Sequence, residues 1–493
     1  MDTIMALDFG TQGVKALLVN DSGGLVAVTQ AHYRLSQNHS GWMEQRPQDW
    51  INAAAQAIDA LKQRRPKEFE NICVVGLSGH MHGIVALDAS GQPLYDCILW
   101  CDTRSTTQMR YLEHKLTTSA KKRLRNPYVT AYSAGKILWL KQRCPQRWER
   151  LDTFLFCKDY IRYRLTGEIA TDYCDASGSL LYDFDTDSWD KEACYAVGLT
   201  QRELPPILPS YAIAGRITQQ GAQLFHLKSG IPVTVGTGDL AASLIGSGVS
   251  AESEALINLG TAGQVLALVP KGRRETLGGY QFKFLDAQTD MVLFALPTAA
   301  YCARWFVEQI CPFLQAEAEA RGVSVFEYLH SLAAEVPAGA RQLIFAPWLS
   351  GTGSPYQDDA MRGAWIGLDS SHTYQDLARA MLEGVAMGIR QCIEAAGGVT
   401  NFDRICLAGG GAQSSLWRTM ISCVLNAKLF CPTVSEAAGM GAARIAMHAM
   451  DLRSAALSSK GEWVVPEVTE MTVYQQLFDR YQRVYKALRF IDT

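Results

Sequence analysis

The chain is 493 residues long and 48% hydrophobic, which allows two or three domains with substantial cores. Its formal net charge is −3 with both signs interspersed, so no basic face points to nucleic acid and no polybasic run points to a membrane surface. No apolar run reaches the roughly 18–20 residues of a membrane span, and no basic segment leading into an apolar core marks a cleaved signal. The thirteen cysteines are scattered. Cys97 and Cys101 come nearest to a pair and lack further ligands close by, so free buried thiols in a reducing cytoplasm are expected rather than a zinc site.

The chain opens on a strand, a glycine turn and a second strand, Leu7-Asp8-Phe9-Gly10-Thr11-Gln12-Gly13-Val14-Lys15, which stays apolar to Val19. Residues 24–34 continue as a strand. Asp49 to Leu61 carries helical spacing in Trp50, Ala53, Ala54, Ile58 and Leu61. Ile72 to Leu77 is a short apolar strand ending in Ser78-Gly79-His80-Met81-His82-Gly83, and Ile84 to Leu87 follows as a further strand. This alternation favours an α/β domain.

Residues 120–230 read as helix and loop, with helices at Lys136 to Gln142 and Asp159 to Leu165. The strand Ile231 to Val235 then runs into Gly236-Thr237-Gly238-Asp239. Glycine and charged residues cluster at 246–254, where the boundary between halves is expected, giving domains 1–246 and 255–493. The second half opens on Ile257-Asn258-Leu259-Gly260-Thr261-Ala262-Gly263, continuing as a strand to Val269. Helices around Thr298 to Gln309 and Phe326 to Glu335 come next. A strand at Ile405 to Leu407 leads into Ala408-Gly409-Gly410-Gly411 and a helix from Ser415 to Leu425.

Gly-Thr-x-Gly therefore occurs twice between apolar strands, the composition of a tight turn that needs positive φ and presents amides and a hydroxyl to an anion. Two such turns across a cleft would grip a polyphosphate from both sides. Asp8 in the first copy is Asn258 in the second, so only the first offers a carboxylate to a cation. Lys15 is placed either to approach phosphate or to face solvent. Asp8-Phe9-Gly10 spells the metal-binding triplet of protein kinases without the catalytic loop that should precede it, and no Walker loop is present.

Gly236-Thr237-Gly238 imitates a dinucleotide fingerprint, with Glu252 and Glu254 as ribose acceptors, and a nicotinamide dehydrogenase is the rival reading. Asp239 opposes it, since a carboxylate beside the last glycine would repel a pyrophosphate. It reads as a general base for a substrate hydroxyl, or as a helix N-cap. His80 and His82 read as a polyol-contacting pair, or as packed histidines. Gly409 to Gly411 lets a flat ring lie close to backbone at a helix start.

In this order these residues resemble the FGGY family of carbohydrate kinases, of the actin, hexokinase and Hsp70 fold group. The resemblance covers essentially the whole chain. It implies an α/β fold of two ribonuclease H-like, actin-like ATPase domains around a catalytic cleft. Asp8 to Lys15 looks like the first phosphate loop, with Gly10, Thr11, Gln12 and Lys15 on the nucleotide, and Gly260 and Thr261 look like the second. Ala408 to Trp417 looks like the adenosine loop, with Gly410, Gly411 and Gln413 on the nucleotide. The stretch Gly363 to Leu368 with Asp376, Leu377 and Ala380 to Glu383 is similar to the C-terminal signature, and Gly384 and Gly388 permit close approach.

Within the family the likeness is to the xylulokinase branch, through Ser78 to Gly83, Trp42 to Gln45 and Leu99 to Arg104. It implies ATP and Mg2+ as cofactors, and a sugar held by Met81, His82, Trp100, Asp102 and Asp239. Asp239 is then the proton acceptor, and Asp8 and Asp239 serve the metal. His80 stands where that branch has glutamine, Leu240 where it has asparagine, and Leu349 to Pro355 lacks its Glu-Arg pair, so a different ketopentose or a polyol stays open as substrate. A sensor that binds both ligands without turnover is the third reading. Family likeness is compatible with a homodimer, and no interface pattern is visible.

Overall fold

Both glycine-turn hairpins sit at the centre of a mixed sheet of their own in the computed structural model, which describes residues 2–272, 278–433, 436–452 and 460–489. In the first half β1 (Thr3–Phe9), β2 (Gly13–Asn20) and β3 (Leu25–His32) form an antiparallel meander. Helix α1 (Pro47–Arg64) buries Trp50, Ala53, Ala54, Ile58 and Leu61, the face expected from their spacing. It leads to β4 (Ile72–Gly79), which joins β1 in parallel. Helices α2 (Cys157–Thr166) and α3 (Tyr173–Ser177) precede β5 (Ile213–Arg216) and β6 (Pro232–Thr234). β6 lies parallel to β4 and β5 closes the edge antiparallel, giving the order β3-β2-β1-β4-β6-β5. Helix α4 (Asp239–Gly246) follows.

The second half repeats this plan. β7 (Glu254–Leu259), β8 (Gly263–Pro270) and β10 (Thr289–Leu296) form the meander, with β9 (Tyr280–Lys283) added at its edge. Helices α5 (Ala300–Trp305), α6 (Val325–Ala334) and α7 (Tyr374–Ala395) lead to β11 (Arg404–Ala408), parallel to β7. Helix α8 (Ser415–Leu425) leads to β12 (Leu429–Pro432), parallel to β11, and helix α9 (Ala437–Ala449) precedes the antiparallel edge strand β13 (Gly461–Val464). Two copies of one strand order, meander then two parallel strands then a reversed edge, are the two ribonuclease H-like halves. Gly384 of α7 lies against backbone as expected, since a Cβ there would sit 2.2 Å from the Phe345 carbonyl oxygen.

Helices α4 and α9 lie between the sheets and are exchanged. Ala241, Leu244 and Ile245 of α4 share a core with Leu256, Leu266 and Cys406 of the second sheet. Met440, Ala443 and Met447 of α9 pack on Ile4, Leu17 and Val74 of the first. The two helices touch through backbone, because a Cβ on Gly246 would meet the Ala437 carbonyl oxygen at 1.7 Å and one on Gly441 that of Ala242 at 1.9 Å. Each half thus caps the other's sheet, and apolar burial, the main favourable term in folding, spans both. All thirteen cysteines are free thiols. Among the described residues no helix is long and apolar enough to cross a membrane.

Candidate active site

The hairpin turns do not use the left-handed backbone expected of them: none of Gly10, Gly13, Gly260 and Gly263 has a positive φ. Close approach explains two of the glycines. A Cβ on Gly13 would lie 2.5 Å from the Ala31 carbonyl oxygen, and one on Gly263 would lie 3.2 Å from Ala299 Cβ. In the first turn the carbonyls are drawn back into the protein. The Tyr33 hydroxyl donates to Gly10 O and to Gly13 O (3.0 Å), Gln45 Nε2 donates to Thr11 O (2.6 Å), and His32 Nδ1 meets Gln12 O at 3.2 Å. With the carbonyls withdrawn, the amide edge of the turn is left for an anion. Trp100 Nε1 donates to Thr11 Oγ1 (3.1 Å), so that hydroxyl keeps its own proton to donate.

Trp100 and Asp102, expected on the sugar, both bear on this loop, Trp100 through Thr11 while staying 45% exposed. Asp102 is fully buried and its oxygens accept from Met43 N (2.6 Å) and from Arg104, which also binds Glu44 Oε1 (2.6 Å) and stacks on Trp42. The two sequence segments at 42–45 and 99–104 thus form one buried ion-paired unit behind the first turn. Lys15 reaches the other half: its Nζ lies 2.6 Å from Glu436 Oε2, at the start of α9, and its side chain stays 40% exposed.

Asp8, on the last turn-facing position of β1, accepts from Ser78 Oγ at 2.5 Å. Burial raises its pKa against the pull of Ser78 and Lys15. Asp239 is the first residue of α4, and Gly238 rather than Asp239 is the N-cap. Its carboxyl is pushed up to about 7 by burial first and by Asp8 second, against the hydrogen bonds from its own and the Leu240 amide. The glycines before it are explained by packing. Gly236 has φ +76°, a Cβ there would lie 2.4 Å from the Leu77 carbonyl oxygen, and Thr237 and Gly238 pair in parallel with Ser78 and Gly79 of β4. This tucks the turn against β4 beside Asp8, and Glu254 is paired with Arg404 (2.5 Å), so the dinucleotide reading fails.

His82 and His80 part company. His82, with φ +69°, puts Nδ1 2.6 Å from Gly178 O. A carbonyl only accepts, so Nδ1 carries the proton of the neutral ring and Nε2 is left as an acceptor. Burial holds its pKa down near 3, so the ring stays neutral. A Cβ on Gly178 would lie 3.1 Å from His82 Nδ1 and from Met81 Cε, so the backbone there is closely packed on both side chains. Tyr132 stands edge-on to His82 at 5.2 Å, and Phe282 from the second half lies 6.0 Å away. His80 is instead 1% exposed, edge-on to Trp50, with no hydrogen-bond partner on either nitrogen, which corrects the expected histidine pair. Met81, 2% exposed, packs on Gly238 and Gly178 as a wall under the site.

Gly260, Thr261, Gly410, Gly411 and Gln413 converge on one cavity of about 930 Å³. Gly409, with φ +96°, lies on Asn258 and Leu259, where a Cβ would come within 2.7 Å of Asn258 Oδ1, and this joins the glycine loop to the second hairpin. The Gly260 and Thr261 carbonyls accept from Ala300 N (3.0 Å) and Ala299 N (2.9 Å) at the start of α5. Gly10, Thr11, Gln12 and Lys15 do not line this cavity. Arg304, Phe326 and His330 do, and no local sequence signal marked them. Among the described residues no group of three or more His, Cys, Asp or Glu side chains gathers into a metal cage.

Residues 3–246 match the N-terminal domain and residues 257–450 the C-terminal domain of the FGGY family of carbohydrate kinases. The xylulose kinase of Bacillus subtilis is 28% identical over 100% of this chain and 98% of its own length, and that of Staphylococcus epidermidis 30% over 99% and 97%. The crystal structure of a xyloylose kinase from Brucella ovis superposes with a TM-score of 0.89 at 29% identity, over 99% of this chain and 100% of that one. With both family domains matched in order along nearly its whole length, the chain belongs to the FGGY family of carbohydrate kinases and is an ATP-dependent sugar kinase.

Proposed function

We propose that the protein transfers the γ-phosphate of ATP to the terminal hydroxyl of a ketopentose, with D-xylulose to D-xylulose 5-phosphate as the reaction. The sugar's identity is supported by the full-length relatives named xylulose kinase, at 28% and 30% identity. The reaction is supported above all by Asp239, a carboxyl at a helix start with a pKa near 7, beside Asp8. A base of that strength accepts a hydroxyl proton efficiently at neutral pH.

In this reading residues 1–246 hold the sugar and residues 255–493 the nucleotide. Gly260, Thr261, Gly410, Gly411 and Gln413 seat ATP, and Thr11 and the amides of the first turn take its terminal phosphate. His82 Nε2 accepts a sugar hydroxyl. Asp239 removes the proton of the terminal hydroxyl as its oxygen attacks phosphorus in line, and ADP leaves. Positioning and charge placement do most of this work. Hard carboxylate oxygens at Asp8 and Asp239, without a full protein cage, fit a Mg2+ that keeps waters and phosphate oxygens as its other ligands. When bound, it would neutralise phosphate charge.

A second acceptor, another ketopentose or a polyol, is favoured by Leu240, an apolar side chain directly after the proposed base. A coupled ADP-release screen over D-xylulose, other ketopentoses and pentitols separates the two, and a clear preference for a sugar other than D-xylulose overturns the first. Asp239→Ala is expected to abolish phosphorylation of every acceptor while ATP still binds, and near-normal turnover by that variant overturns the assignment of the base.

A further inference from the structure

Five charged side chains are sealed beneath the turn that carries Asp239. Lys158, Asp159, Arg162 and Asp172 have 0% exposure and Asp175 has 1%. Lys158 Nζ lies 2.7 Å from Asp159 Oδ1, 2.8 Å from Asp172 Oδ1 and 3.0 Å from Asp175 Oδ2, and Arg162 Nη1 lies 2.8 Å from Asp159 Oδ1. Two cations face three carboxyls. Burial and the two neighbouring carboxylates raise the Asp175 pKa well above its ordinary value, against the pull of Lys158.

Buried ion clusters rarely stabilise a fold better than apolar packing of the same volume. What sets this one apart is where its arms end. Arg162 Nη1 donates to Val235 O (2.9 Å), four residues before Asp239. The Thr237 hydroxyl, two residues before it, donates to Asp172 Oδ2 (2.8 Å), which also accepts from Ser210 Oγ (3.1 Å). The same carboxylate caps α3, accepting from Cys174 N (3.1 Å) and Asp175 N (3.3 Å). Helix α3 ends at Gly178, whose carbonyl fixes the proton of His82 on Nδ1. Lys158 lies against Gly79, where a Cβ would sit 3.3 Å from its Cβ, next to the Ser78 that binds Asp8.

We propose that Asp172, seated on Lys158, is a positioning residue for phosphoryl transfer: through the Thr237 hydroxyl it fixes the backbone that aims Asp239, and through α3 it fixes the carbonyl that orients His82. The inference rests on the reading of Asp239 as the base. One buried carboxylate then sets the proton acceptor and the sugar contact in a common frame, which matters because a misplacement of about 1 Å in an attacking geometry costs on the order of 10²-fold in rate.

The test is a matched pair at position 237 in the full-length enzyme. Thr237→Val keeps shape and removes the hydroxyl, while Thr237→Ser keeps the hydroxyl. Thr237→Val is expected to lose about 10–100-fold in kcat, to keep its KM for ATP, whose pocket lies in the other half, and to move the acid limb of the kcat/KM profile. Thr237→Ser is expected to restore both kcat and that limb. Normal turnover and an unmoved limb in Thr237→Val overturn the proposal, as does equal loss in Thr237→Val and Thr237→Ser. If Thr237→Val fails to fold, Asp172→Asn against Asp175→Asn decides. The Asp172 carboxylate, and not that of Asp175, accepts from Thr237, Ser210 and the α3 amides, so Asp175→Asn is expected to cost less than about threefold while Asp172→Asn costs at least tenfold, and equal loss in the two overturns the proposal. Asp239→Ala run alongside separates the levels: if it stays active the base itself is misassigned, whereas an inactive Asp239→Ala with a normal Thr237→Val removes only the role of Asp172.

Discussion

The two glycine-turn hairpins occupy equivalent places in two copies of one sheet and are held by different means. In the first, side chains from distant segments draw the turn's carbonyls back: Tyr33, His32 and Gln45, with Trp100 on the Thr11 hydroxyl. In the second, the backbone amides of Ala299, Ala300 and Tyr301 do it, at the start of a helix that continues from the hairpin's own meander. The strands below differ in the same sense. Asp8 stands across from Lys15 on one side and Ser78 on the other, and Asn258 in the same registers stands across from Gln264 and Ala408. The first hairpin is charged and tunable through side chains, which suits the phosphate that moves. The second is neutral and built from backbone, which suits phosphates that stay.

Making the first hairpin resemble the second should break this division most severely. Asp8→Asn removes the carboxylate proposed to hold Mg2+, and kcat is expected to fall by about 10²–10³-fold with ATP binding by calorimetry little changed. Undiminished turnover across a magnesium titration would erase the distinction between the hairpins. The converse change adds charge where the proposed reading seats the phosphates. Asn258→Asp is expected to raise the KM for ATP about tenfold, an effect that weakens with salt as screened repulsion must. An unchanged KM at low salt would place the phosphates away from the second hairpin.

Smaller effects sharpen the comparison. Gln45→Leu and Trp100→Phe each delete one side-chain support of the first turn, and each is expected to cost roughly three- to tenfold in kcat, since a single neutral hydrogen bond contributes about 1 kcal/mol. Steady-state kinetics at saturating sugar measures this. A loss confined to the KM for sugar would instead return Trp100 to the sugar site.

Much of this was legible locally. Hairpins, the face of α1 and the helix after Gly411 follow from spacing over a dozen residues, and the duplication of Gly-Thr-x-Gly marked two equivalent turns before any contact was known. The reasons for the glycines were not legible, because positive φ and close approach select the same residue, and only the position of Ala31 or Ala299 tells them apart. The partner of Lys15 was not legible for a similar reason: Glu436 is 421 positions away, at the start of the exchanged helix α9. The contacts of Asp102 and Trp100 were not legible either, since a motif records that residues matter and not which neighbour they face. The cluster around Lys158 left no sequence signal beyond ordinary helical charges, yet it is fully buried.

A carboxyl whose pKa is raised toward neutrality in the folded state should leave a trace in stability. Asp239 has a folded-state pKa of about 7 against an ordinary value of 3.8, so the folded state holds this proton more tightly than the unfolded chain does. The sign follows: its contribution is fully present below about pH 4 and is lost as pH rises from about 4 through about 7. Asp239→Asn cannot titrate and escapes that loss. At pH 8 the inactive variant is therefore expected to be more stable than the parent by on the order of 2 kcal/mol, discounted for partial solvent access, or a few degrees in Tm, and the gap should close toward pH 4. Thermal unfolding of both proteins at two pH values checks this. A gap independent of pH would mean that the carboxyl is solvated as an ordinary aspartate, and that its fitness as a base comes from the bound substrate and nucleotide rather than from the first half of the cleft alone.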